Sequence, residues 1–334
     1  MTQEQAKVNA PDLVGGYWVN SEPVSMPEQK GKVVLLDFWD YTCVNCIRTL
    51  PYVAEWHRRY ADKGLVVVGV HAPEFSFAKE LDGVKSAVEE FEIEYPVVMD
   101  NGMSIWQAYA NRYWPAKYLV DKEGYVRYYH FGEGNYQQTE EVVQTLLREI
   151  DPKVELPEAM SPVRDSDQPG AVCHRVTPEL YLGYQRGQVG NPGGHVPNAS
   201  HTYKDPGIHA EGFAYLSGEW RADEEHTMKP FGSETESSVA IRYMSKEVNL
   251  VMNPLLGSTC RAYLTQNGAP VAKDDATDDV KFEDDGRSYV EVDKPRMYKL
   301  IDNREIGTHD LTLSTTSPGL RLYAFTFVSC VAPD

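Results

Sequence analysis

Two kinds of hydrophobic pattern divide the chain. In residues 1–150, short continuous runs of valine and leucine alternate with segments whose apolar residues recur at helical spacing. After residue 168 the helical spacing nearly disappears, and short stretches of alternating apolar and polar residues replace it. Continuous runs are typical of strands buried on both faces, whereas alternation is typical of strands with one solvated face. The pattern therefore predicts an α/β domain over 1–150 and an all-β domain over 169–334.

The pattern in residues 1–150 predicts a mixed central sheet flanked by helices. Its helices are expected from Cys43 to about 62–64, with Gly64 as the C-cap, and at 78–91, 103–110 and 138–150. The last of these helices has an apolar face of valine and leucine residues. The strands are expected at 12–20, 33–39, 65–70, 95–100, 114–120 and 125–131, the last two forming a hairpin.

The second part predicts an all-β sandwich after a linker. Residues 151–168 combine several prolines with acidic residues, a composition that is typical of linkers. Separate short strands are expected at 238–244, 247–252, 261–265 and 320–328. Residues 183–212, rich in glycine, proline, asparagine and histidine, are expected to form a long ordered loop.

A cysteine pair follows the first long buried strand. Cys43 is expected to be exposed at the start of a helix, with Cys46 one turn deeper. The free N–H groups and the dipole of a helix start stabilise a thiolate, so the pKa of Cys43 is expected to fall below about 8.5. This context predicts thiol–disulfide exchange. The alternatives are a static disulfide and a structural zinc site, although zinc would call for a second pair at ligand spacing.

The other three cysteines, Cys173, Cys260 and Cys330, are far apart in the sequence. An odd count without regular spacing does not indicate a secreted disulfide scaffold. The sequence therefore predicts no structural disulfide framework.

Net charge limits the possible partners. The chain has 334 residues and a formal net charge of −18, shared between both halves. Nucleic acids and anionic membranes bind basic patches, so neither is expected as a partner. No apolar run approaches the roughly 20 residues of a membrane span. The Met1 to Lys7 stretch has no apolar core behind it, so the chain as written is expected to be cytoplasmic, and a trimmed sequence would instead be periplasmic or extracytoplasmic.

Residues around the cysteine pair resemble the thioredoxin-like superfamily. Asp37 lies six residues before Cys43, where thioredoxins carry a buried acid that serves the resolving cysteine. Pro51 lies where thioredoxins kink the active-site helix, and residues 114–121 are similar to the cis-proline segment. The resemblance implies that Asp37 takes the proton of Cys46. It also implies that Pro115, which has no N–H, leaves its strand edge free for a substrate peptide.

A narrower resemblance is to the extracytoplasmic part of DipZ-type proteins. It is carried by residues 38–52, 69–75, 113–116 and 130–134. The resemblance implies a thioredoxin-like redoxin domain followed by a jelly-roll sandwich similar to carbohydrate-binding modules. The chain lacks the membrane domain of that family, and it carries Asp40 where relatives usually have an uncharged residue. That carboxylate would oppose a thiolate at Cys43, unless it points to water.

The candidate site residues follow from position and resemblance. The catalytic set is Cys43, Cys46, Asp37 and Pro115. The residues expected to contact substrate are Trp39, Tyr41, Thr42, Trp114 and Ala116. Three further residues, with His130 beside them, are expected near the same edge, where they either shuttle protons or cap loops: His71, Glu74 and Glu133. No metal is expected, and no cofactor beyond a redox-active Cys43–Cys46 disulfide.

The function predicted from these residues is dithiol exchange, most simply the reduction of protein disulfides. Its partners would be a disulfide-bearing protein substrate and an unidentified dithiol electron donor. One alternative is a thiol peroxidase, although Leu36 and Asp40 occupy the proline and threonine positions of the peroxiredoxin motif.

Another alternative is a glycan- or protein-binding module. Four aromatic residues could form a sugar platform in the second domain: Tyr181, Tyr184, Trp220 and Tyr243. His195, His201 and His209, and the acidic cluster at 274–279, match no metal-ligand motif well.

Overall fold

The computed structural model describes residues 7–233, 235–255, 257–328 and 330–331. The chain divides into two compact units, Met1–Asp167 and Gln168–Asp334. The Met1 to Lys7 stretch considered for targeting lies, apart from Lys7, outside the described residues.

The described residues of the first unit form a sheet and four α-helices. Its strands are β1 (Val8–Asn9), β2 (Tyr17–Val19), β3 (Val33–Trp39), β4 (Leu65–His71), β5 (Val97–Met99), β6 (Ala116–Val120) and β7 (Tyr125–Phe131). Its α-helices are α1 (Val44–Tyr60), α2 (Leu81–Glu90), α3 (Ser104–Ala108) and α4 (Tyr136–Ile150). Short 3₁₀ helices cover Met26–Gln29, Ala61–Lys63, Ser76–Lys79 and Asp165–Asp167.

Strand β3 lies at the centre of this sheet, whose order is β1-β7-β6-β3-β4-β5-β2. It pairs parallel with β4 and antiparallel with β6. Every residue of β3 is buried, and successive apolar side chains enter two different cores, one on each face of the sheet. The predicted mixed sheet flanked by helices is therefore confirmed, and the cysteine pair follows its most buried strand.

Element boundaries differ locally from the predicted ones. The segment expected as one helix at 78–91 is a 3₁₀ turn at Ser76–Lys79 followed by α2. The edge strand expected at 12–20 is reduced to Tyr17–Val19, which pairs with β5. The proline-rich segment beyond α4 contributes to the first unit, because Met160 is buried and its N–H donates to Glu140 Oε2 at 2.9 Å.

The second unit is all-β, as predicted. Its described strands are β8 (Val172–Cys173), β9 (Leu180–Tyr181), β10 (Ser200–Tyr203), β11 (Ala214–Ala222), β12 (Thr227–Met228), β13 (Ser237–Asn253), β14 (Cys260–Gln266), β15 (Ala269–Pro270), β16 (Val280–Phe282), β17 (Ser288–Val292), β18 (Arg296–Thr315), β19 (Arg321–Val328) and β20 (Cys330–Val331). Most of them join one antiparallel sheet that encloses a single apolar core.

Two predicted strands of this unit are in fact one. Residues 238–244 and 247–252 both belong to β13, which continues through register shifts near Ser245 and Val248. A β-bulge inserts a residue and bends a strand without ending it, so the irregular pattern there does not mark a turn. The loop predicted over 183–212 also contains strand β10.

The expectation that the isolated cysteines form no disulfide framework is wrong for one pair. Cys173 and Cys330 form a disulfide with an S–S distance of 2.00 Å across a sequence separation of 157 residues. Strands β8 and β20 bring the two residues into register as antiparallel partners. This pairing depends on tertiary structure, which the spacing of the cysteines does not reveal.

Within the described part of the chain, no helix combines the length and the hydropathy of a membrane span.

Candidate active site

Two free thiols lie at the junction of strand β3 and helix α1. Cys43 is the N-cap residue of α1 and is partly exposed, while Cys46 is buried in the first turn. The backbone N–H of Cys46 donates to Cys43 Sγ at 3.3 Å. The Cys46 thiol also donates a hydrogen bond to the sulfur of Cys43. These contacts favour negative charge on Cys43 rather than on Cys46, so they distinguish an outer nucleophile from an inner thiol.

The expectation of a lowered pKa at Cys43 is nevertheless wrong. Burial raises the pKa of the Cys43 thiol above its ordinary value and outweighs the two hydrogen bonds from Cys46. Negative charges on Glu74 and Asp40 raise it further. Burial also raises the pKa of Cys46, well above its ordinary value, and its hydrogen bond to Cys43 adds to that shift. The helix start stabilises the thiolate, but it does not compensate for the removal of water.

Asp37 lies on β3 with its carboxylate inside the first unit. Its side chain is fully buried, and neither carboxylate oxygen has a hydrogen-bond partner among the residues that the structure describes. Burial raises the pKa of Asp37 to about 6, although the positive charge of Lys117 opposes the shift. An acid with a pKa near neutrality can accept a proton and release it again under physiological conditions. Its charge also raises the pKa of Cys46, which places the two groups within electrostatic reach.

Gly69 leaves space beside Asp37 on the neighbouring strand β4. The two residues are paired in the parallel register. A Cβ atom at Gly69 would lie 3.0 Å from Trp39 Nε1 and 3.1 Å from Tyr95 Cε2. The absence of a side chain therefore lets two large aromatic rings pack against the strand next to the acid.

Lys117 was not identified from the sequence as a site residue. It lies opposite Asp37 in the antiparallel pairing of β6 with β3, and its side chain is fully buried. The sequence does contain a signal, because Lys117 is a lone charged residue in the otherwise uncharged strand Ala116–Val120. Alternation along that strand turns Leu119 toward the same core as Cys46, so Lys117, two residues earlier, faces the cysteines as well.

Pro115 lies immediately before β6 and beside the end of β3. The Trp114–Pro115 peptide bond is cis, as the resemblance implied. The Pro115 carbonyl accepts a hydrogen bond from the Gly132 N–H at 2.8 Å. Trp114 packs against Trp106 with ring centroids 4.2 Å apart and donates from Nε1 to the Ala72 carbonyl at 2.9 Å. This loop is therefore held on both sides, next to the strand that leads to the cysteines.

Asp40 organises the turn in front of the cysteines, so the reading in which it points to water is wrong. Its side chain is fully buried. One carboxylate oxygen accepts from the Thr42 N–H at 2.6 Å and from the Thr42 hydroxyl at 2.7 Å. The other accepts from the Glu74 N–H at 2.6 Å. Asp40 thus ties the turn to the loop after β4, and it opposes a thiolate at Cys43.

Most residues expected to contact substrate have buried side chains. Trp39, Tyr41, Thr42 and Ala116 are at most 5% exposed, whereas Trp114 is partly exposed. A buried side chain supports the site from beneath, so any contact of those four positions with substrate would use main-chain atoms. Trp114 is the member of the set whose side chain is open to a substrate.

His71 packs against two aromatic residues of this set, Trp39 and Tyr41. It stacks on Tyr41 with ring centroids 5.5 Å apart and meets Trp39 edge-on at 5.2 Å. Burial lowers the pKa of His71 to about 3, so the imidazole is neutral at physiological pH. A neutral ring enclosed by aromatic residues packs the site, and its proton affinity is too low for proton transfer near neutral pH.

Glu133 lies at the outer rim of this region, in the turn after β7. Its carboxylate is 3.8 Å from Arg48 Nη1 and 3.3 Å from Arg164 Nη2. His130 accompanies it, with Nε2 at 3.1 Å from the Glu133 carbonyl. Glu74, in the loop after β4, is partly exposed, and its N–H donates to Asp40. Glu133, Arg48 and Arg164 thus form a partly exposed charged rim.

The aromatic set predicted in the second unit does not form a surface platform. Trp220 and Tyr243 are fully buried, so they cannot stack on a sugar. Tyr181 and Tyr184 lie at the surface, where Arg186 covers the Tyr181 ring at 3.7 Å. Among the residues that the structure describes, no group of three or more histidine, cysteine or acidic side chains converges as a metal site.

Comparison with known proteins finds a matching family model for each part of the chain. Residues 5–147 match the family model described as Redoxin, and residues 177–327 match the model described as Thioredoxin like C-terminal domain. Protein DipZ of Mycobacterium tuberculosis is 36% identical over 266 residues, which cover 78% of this chain and 37% of DipZ. The chain therefore spans little more than a third of that relative.

Shorter relatives match the first unit. Thiol-disulfide oxidoreductase ResA of Bacillus cereus is 31% identical over 134 residues, which cover 40% of this chain and 72% of ResA. The solution structure of a thioredoxin-like protein in the oxidized form is 31% identical with a TM-score of 0.40, and the match covers 43% of this chain and 97% of that one. From the matched models, the extent of ResA that is covered and the cysteine pair at the β3–α1 junction, the chain belongs to the redoxin family of thioredoxin-like thiol–disulfide oxidoreductases.

Proposed function

We propose that this protein reduces disulfides in protein substrates by dithiol exchange through Cys43 and Cys46. The observation that carries the proposal is the asymmetry of the pair. Cys43 is partly exposed and receives two hydrogen bonds, whereas Cys46 is buried behind it. A nucleophile must reach the substrate, and a resolving thiol must reach only the nucleophile.

The reaction begins with the thiolate of Cys43. It attacks one sulfur of the substrate disulfide, a bond forms between Cys43 and that sulfur, and the other substrate sulfur leaves with the electron pair. Cys46 then loses its proton to Asp37 and attacks Cys43 Sγ. The products are a Cys43–Cys46 disulfide and a substrate that has gained two electrons. A dithiol donor restores the two thiols by the reverse exchange.

Pro115 and Trp114 form the proposed docking edge for the substrate. Pro115 has no N–H to donate to a neighbouring strand, so its strand edge would stay free for an extended peptide. Trp114 adds a partly exposed aromatic surface that is fixed by its contact with Trp106 and by its bond to the Ala72 carbonyl. Together they would hold a peptide next to Cys43.

The test is insulin reduction by the full chain, with a dithiol reductant as donor. Cys43→Ser is expected to abolish turnover, because a serine hydroxyl is not ionised near neutral pH. Cys260→Ser is the matched control, since Cys260 is a free, buried cysteine of the second unit. Full activity of Cys43→Ser would overturn the proposal.

The direction of exchange needs its own measurement. Equilibration of the Cys43–Cys46 pair with a redox buffer gives its reduction potential. A value near about −270 mV supports a reductant, whereas a value above roughly −180 mV would make the protein an oxidant or an isomerase. Hydrogen peroxide consumption by the same preparation would be negligible for a disulfide reductase and rapid for a thiol peroxidase.

A further inference from the structure

The disulfide of the second unit lies in a solvent-exposed part of the chain. Cys173 is exposed and Cys330 is partly exposed. Val172, the residue before Cys173, is 51% exposed. The free thiol of Cys260, by contrast, is buried in the core of the same unit. Thiol–disulfide exchange requires a thiolate to reach one sulfur of a disulfide, so this cross-link meets a condition that a disulfide in the core would not.

The strands that carry the two cysteines are short and separate from the main sheet. Strands β8 and β20 contain two residues each and, among the described strands, pair only with each other. Cys173 and Cys330 are direct partners in this ribbon. An isolated two-stranded ribbon is marginally stable in water, even when it is longer than this one. The covalent bond is therefore the main restraint that keeps the ribbon closed.

The cross-link also fixes the segment through which the chain enters the second unit. Asp167, the last residue of the first unit, accepts a hydrogen bond from the Tyr52 hydroxyl at 2.6 Å. The next fully buried residue is Thr177, whose hydroxyl accepts from the Met244 N–H at 2.8 Å. Most of the residues between Asp167 and Thr177 are exposed. The disulfide attaches this segment to Cys330, which follows β19 of the main sheet, and without it the short ribbon alone would do so.

Positively chargeable side chains follow Cys173 directly. His174 and Arg175 are both exposed, in a chain whose formal net charge is −18. A thiolate that attacks a disulfide carries a negative charge, which the rest of the chain repels. The guanidinium group two residues beyond Cys173 reduces that repulsion locally. Charge and exposure therefore both favour attack at Cys173 over attack at Cys330.

We propose that the Cys173–Cys330 disulfide is a second exchange site, which an external dithiol reduces by attack on Cys173. This inference does not depend on the function proposed for the cysteine pair of the first unit. One thiolate of the dithiol forms a bond with the sulfur of Cys173, and the Cys173–Cys330 bond breaks with its electron pair on Cys330. The second thiolate of the dithiol then attacks the first dithiol sulfur and displaces Cys173 with an electron pair. The two displaced sulfurs take up the two protons that the dithiol has lost.

The products are an oxidised dithiol and a reduced Cys173/Cys330 pair. Reduction leaves residues 168–175 attached to the main sheet only through the two-residue ribbon, so the segment is released from the end of β19. A purely structural disulfide would behave differently, because its sulfurs would react only after the second unit unfolds.

The first test uses the full chain with Cys43→Ser and Cys46→Ser, which silence the exchange site of the first unit. The oxidised protein is mixed with dithiothreitol in native buffer, quenched at intervals with excess iodoacetamide and mapped by mass spectrometry. Cys173 and Cys330 are expected to become alkylated at the same rate as in the wild-type chain, while Cys260 stays unmodified.

Three outcomes of this test would overturn the inference. The pair could stay oxidised until denaturant unfolds the second unit, which would make the disulfide structural. Cys260 could become alkylated together with Cys173 and Cys330, which would show that reduction follows unfolding. The reaction could also be lost in the variant without Cys43 and Cys46, which would show that the electrons come from the first unit and not from the external dithiol.

A monothiol identifies the sulfur that is attacked. Reduced glutathione forms a mixed disulfide but has no second thiol in the same molecule to resolve it. Peptide mapping after an acid quench is expected to find glutathione on Cys173 and a free thiol on Cys330. Glutathione on Cys330 would overturn the assignment of Cys173 as the attacked sulfur.

Trypsin, which cleaves after Arg175, tests the release of the segment. Cys173→Ser combined with Cys330→Ser reproduces the reduced state without a reductant. Cleavage follows the population of the locally open form, so cleavage after Arg175 is expected to increase at least about tenfold in this variant. Arg304 in strand β18, whose side chain is 72% exposed, provides the control site, and cleavage there is expected to stay unchanged. Unchanged cleavage after Arg175, or an equal increase at both sites, would overturn the release of the segment.

Discussion

Two fully buried lysines show how differently the two units treat internal charge. In the second unit, Lys229 Nζ donates to the Ser233 hydroxyl at 2.8 Å, to the Thr235 carbonyl at 2.7 Å and to the Ser237 hydroxyl at 2.9 Å. Its three donors are thus all used. Lys117 in the first unit has one hydrogen bond, at 3.3 Å, beside a carboxylate that has none from the described residues. Hydrogen bonds from the protein therefore satisfy the ammonium group of Lys229 completely. The ammonium group of Lys117 has fewer hydrogen bonds, so its ionisation depends more on the charges around it.

Other buried polar groups show a related contrast. In the second unit, the Tyr243 hydroxyl, the Gln266 amide and the Asn303 amide form a closed buried network with contacts between 2.6 and 3.1 Å. In the first unit, Asp37 and Tyr95 present buried oxygens without a partner in the described chain. Buried polar groups whose hydrogen bonds are all made help to fix a single fold. Buried titratable groups that lack hydrogen-bond partners have shifted pKa values, which suit proton transfer. The second unit also holds buried polar atoms without a described partner, at His195, Asn249 and Thr326, so the contrast applies to the groups compared here and not to every polar group of the two units.

The largest effect on stability is expected from the disulfide of the second unit. Cys173→Ser combined with Cys330→Ser removes a cross-link that closes a loop of 157 residues. A cross-link of this kind stabilises a fold by about 2–5 kcal/mol, mainly by restricting the unfolded chain. Denaturant unfolding of the full chain is expected to show that loss in the transition of the second unit. A loss confined to the first unit would contradict the contrast between them.

Asp37→Asn is expected to change the pH dependence of stability in the first unit. Because the folded pKa is raised to about 6, folding favours the protonated acid. That contribution is fully present below about pH 4 and is lost as the pH rises through 6. Asparagine cannot ionise, so the fall of about 3 kcal/mol in wild-type stability between about pH 4 and neutral pH should be absent from the variant, although the buried Lys117 ammonium group loses a nearby opposite charge.

The same variant is expected to lose activity. Without a carboxylate to take the Cys46 proton, turnover of insulin should fall on the order of 100-fold. Asp121→Asn provides the control, since Asp121 is also buried but pairs with Arg127 at 3.0 Å. That control should lose stability and retain turnover. A stable and fully active Asp37→Asn protein would remove the acid from the mechanism.

Much of this site can be predicted from the sequence, and the part that cannot has a physical reason. Cys43, Cys46, Asp37 and Pro115 are marked by spacing along the chain, which places them at a strand end, a helix start and a loop. The raised pKa of Cys43 is not predictable in this way. It depends on how much water the folded chain excludes, which is a property of packing around the helix start.

Lys117 and the Cys173–Cys330 disulfide were missed for a related reason. Each depends on pairing between segments that are distant in the sequence, β6 with β3 and β8 with β20. Strand β13 likewise exceeds its predicted length, because bulges interrupt the alternation without ending the strand. Local patterns predicted the types of element, while strand register and burial required the fold.

A smaller effect is expected from the pH dependence of Cys43. Because the pKa of Cys43 is raised, the thiolate is a minor species at neutral pH. As long as the pH is below this pKa, the thiolate fraction grows about tenfold for each unit by which the pH rises. Alkylation of reduced Cys43 by iodoacetamide, followed by mass spectrometry, is expected to accelerate accordingly from about pH 6 to pH 8. A rate that is already constant in this range would mean that the helix start outweighs burial.

The smallest effect is expected at the charged rim. Glu133→Gln removes one ion-pair partner each from Arg48 and Arg164, and all three side chains have some access to water. Partly exposed ion pairs contribute at most about 1 kcal/mol, so denaturant unfolding should change by no more than that amount. A loss comparable with that of the disulfide variant would show that the rim, rather than the buried pair, controls the first unit.

The most direct test of the account is to identify the cysteine that binds the substrate. Cys46→Ser leaves the nucleophile without its resolving thiol, so the mixed disulfide should accumulate when the variant meets a disulfide-bearing protein. Peptide mapping by mass spectrometry is predicted to find the substrate sulfur on Cys43. A substrate adduct on Cys260, or no adduct while the variant still reduces insulin at the wild-type rate, would contradict the assignment of Cys43 as nucleophile and Cys46 as its resolving partner.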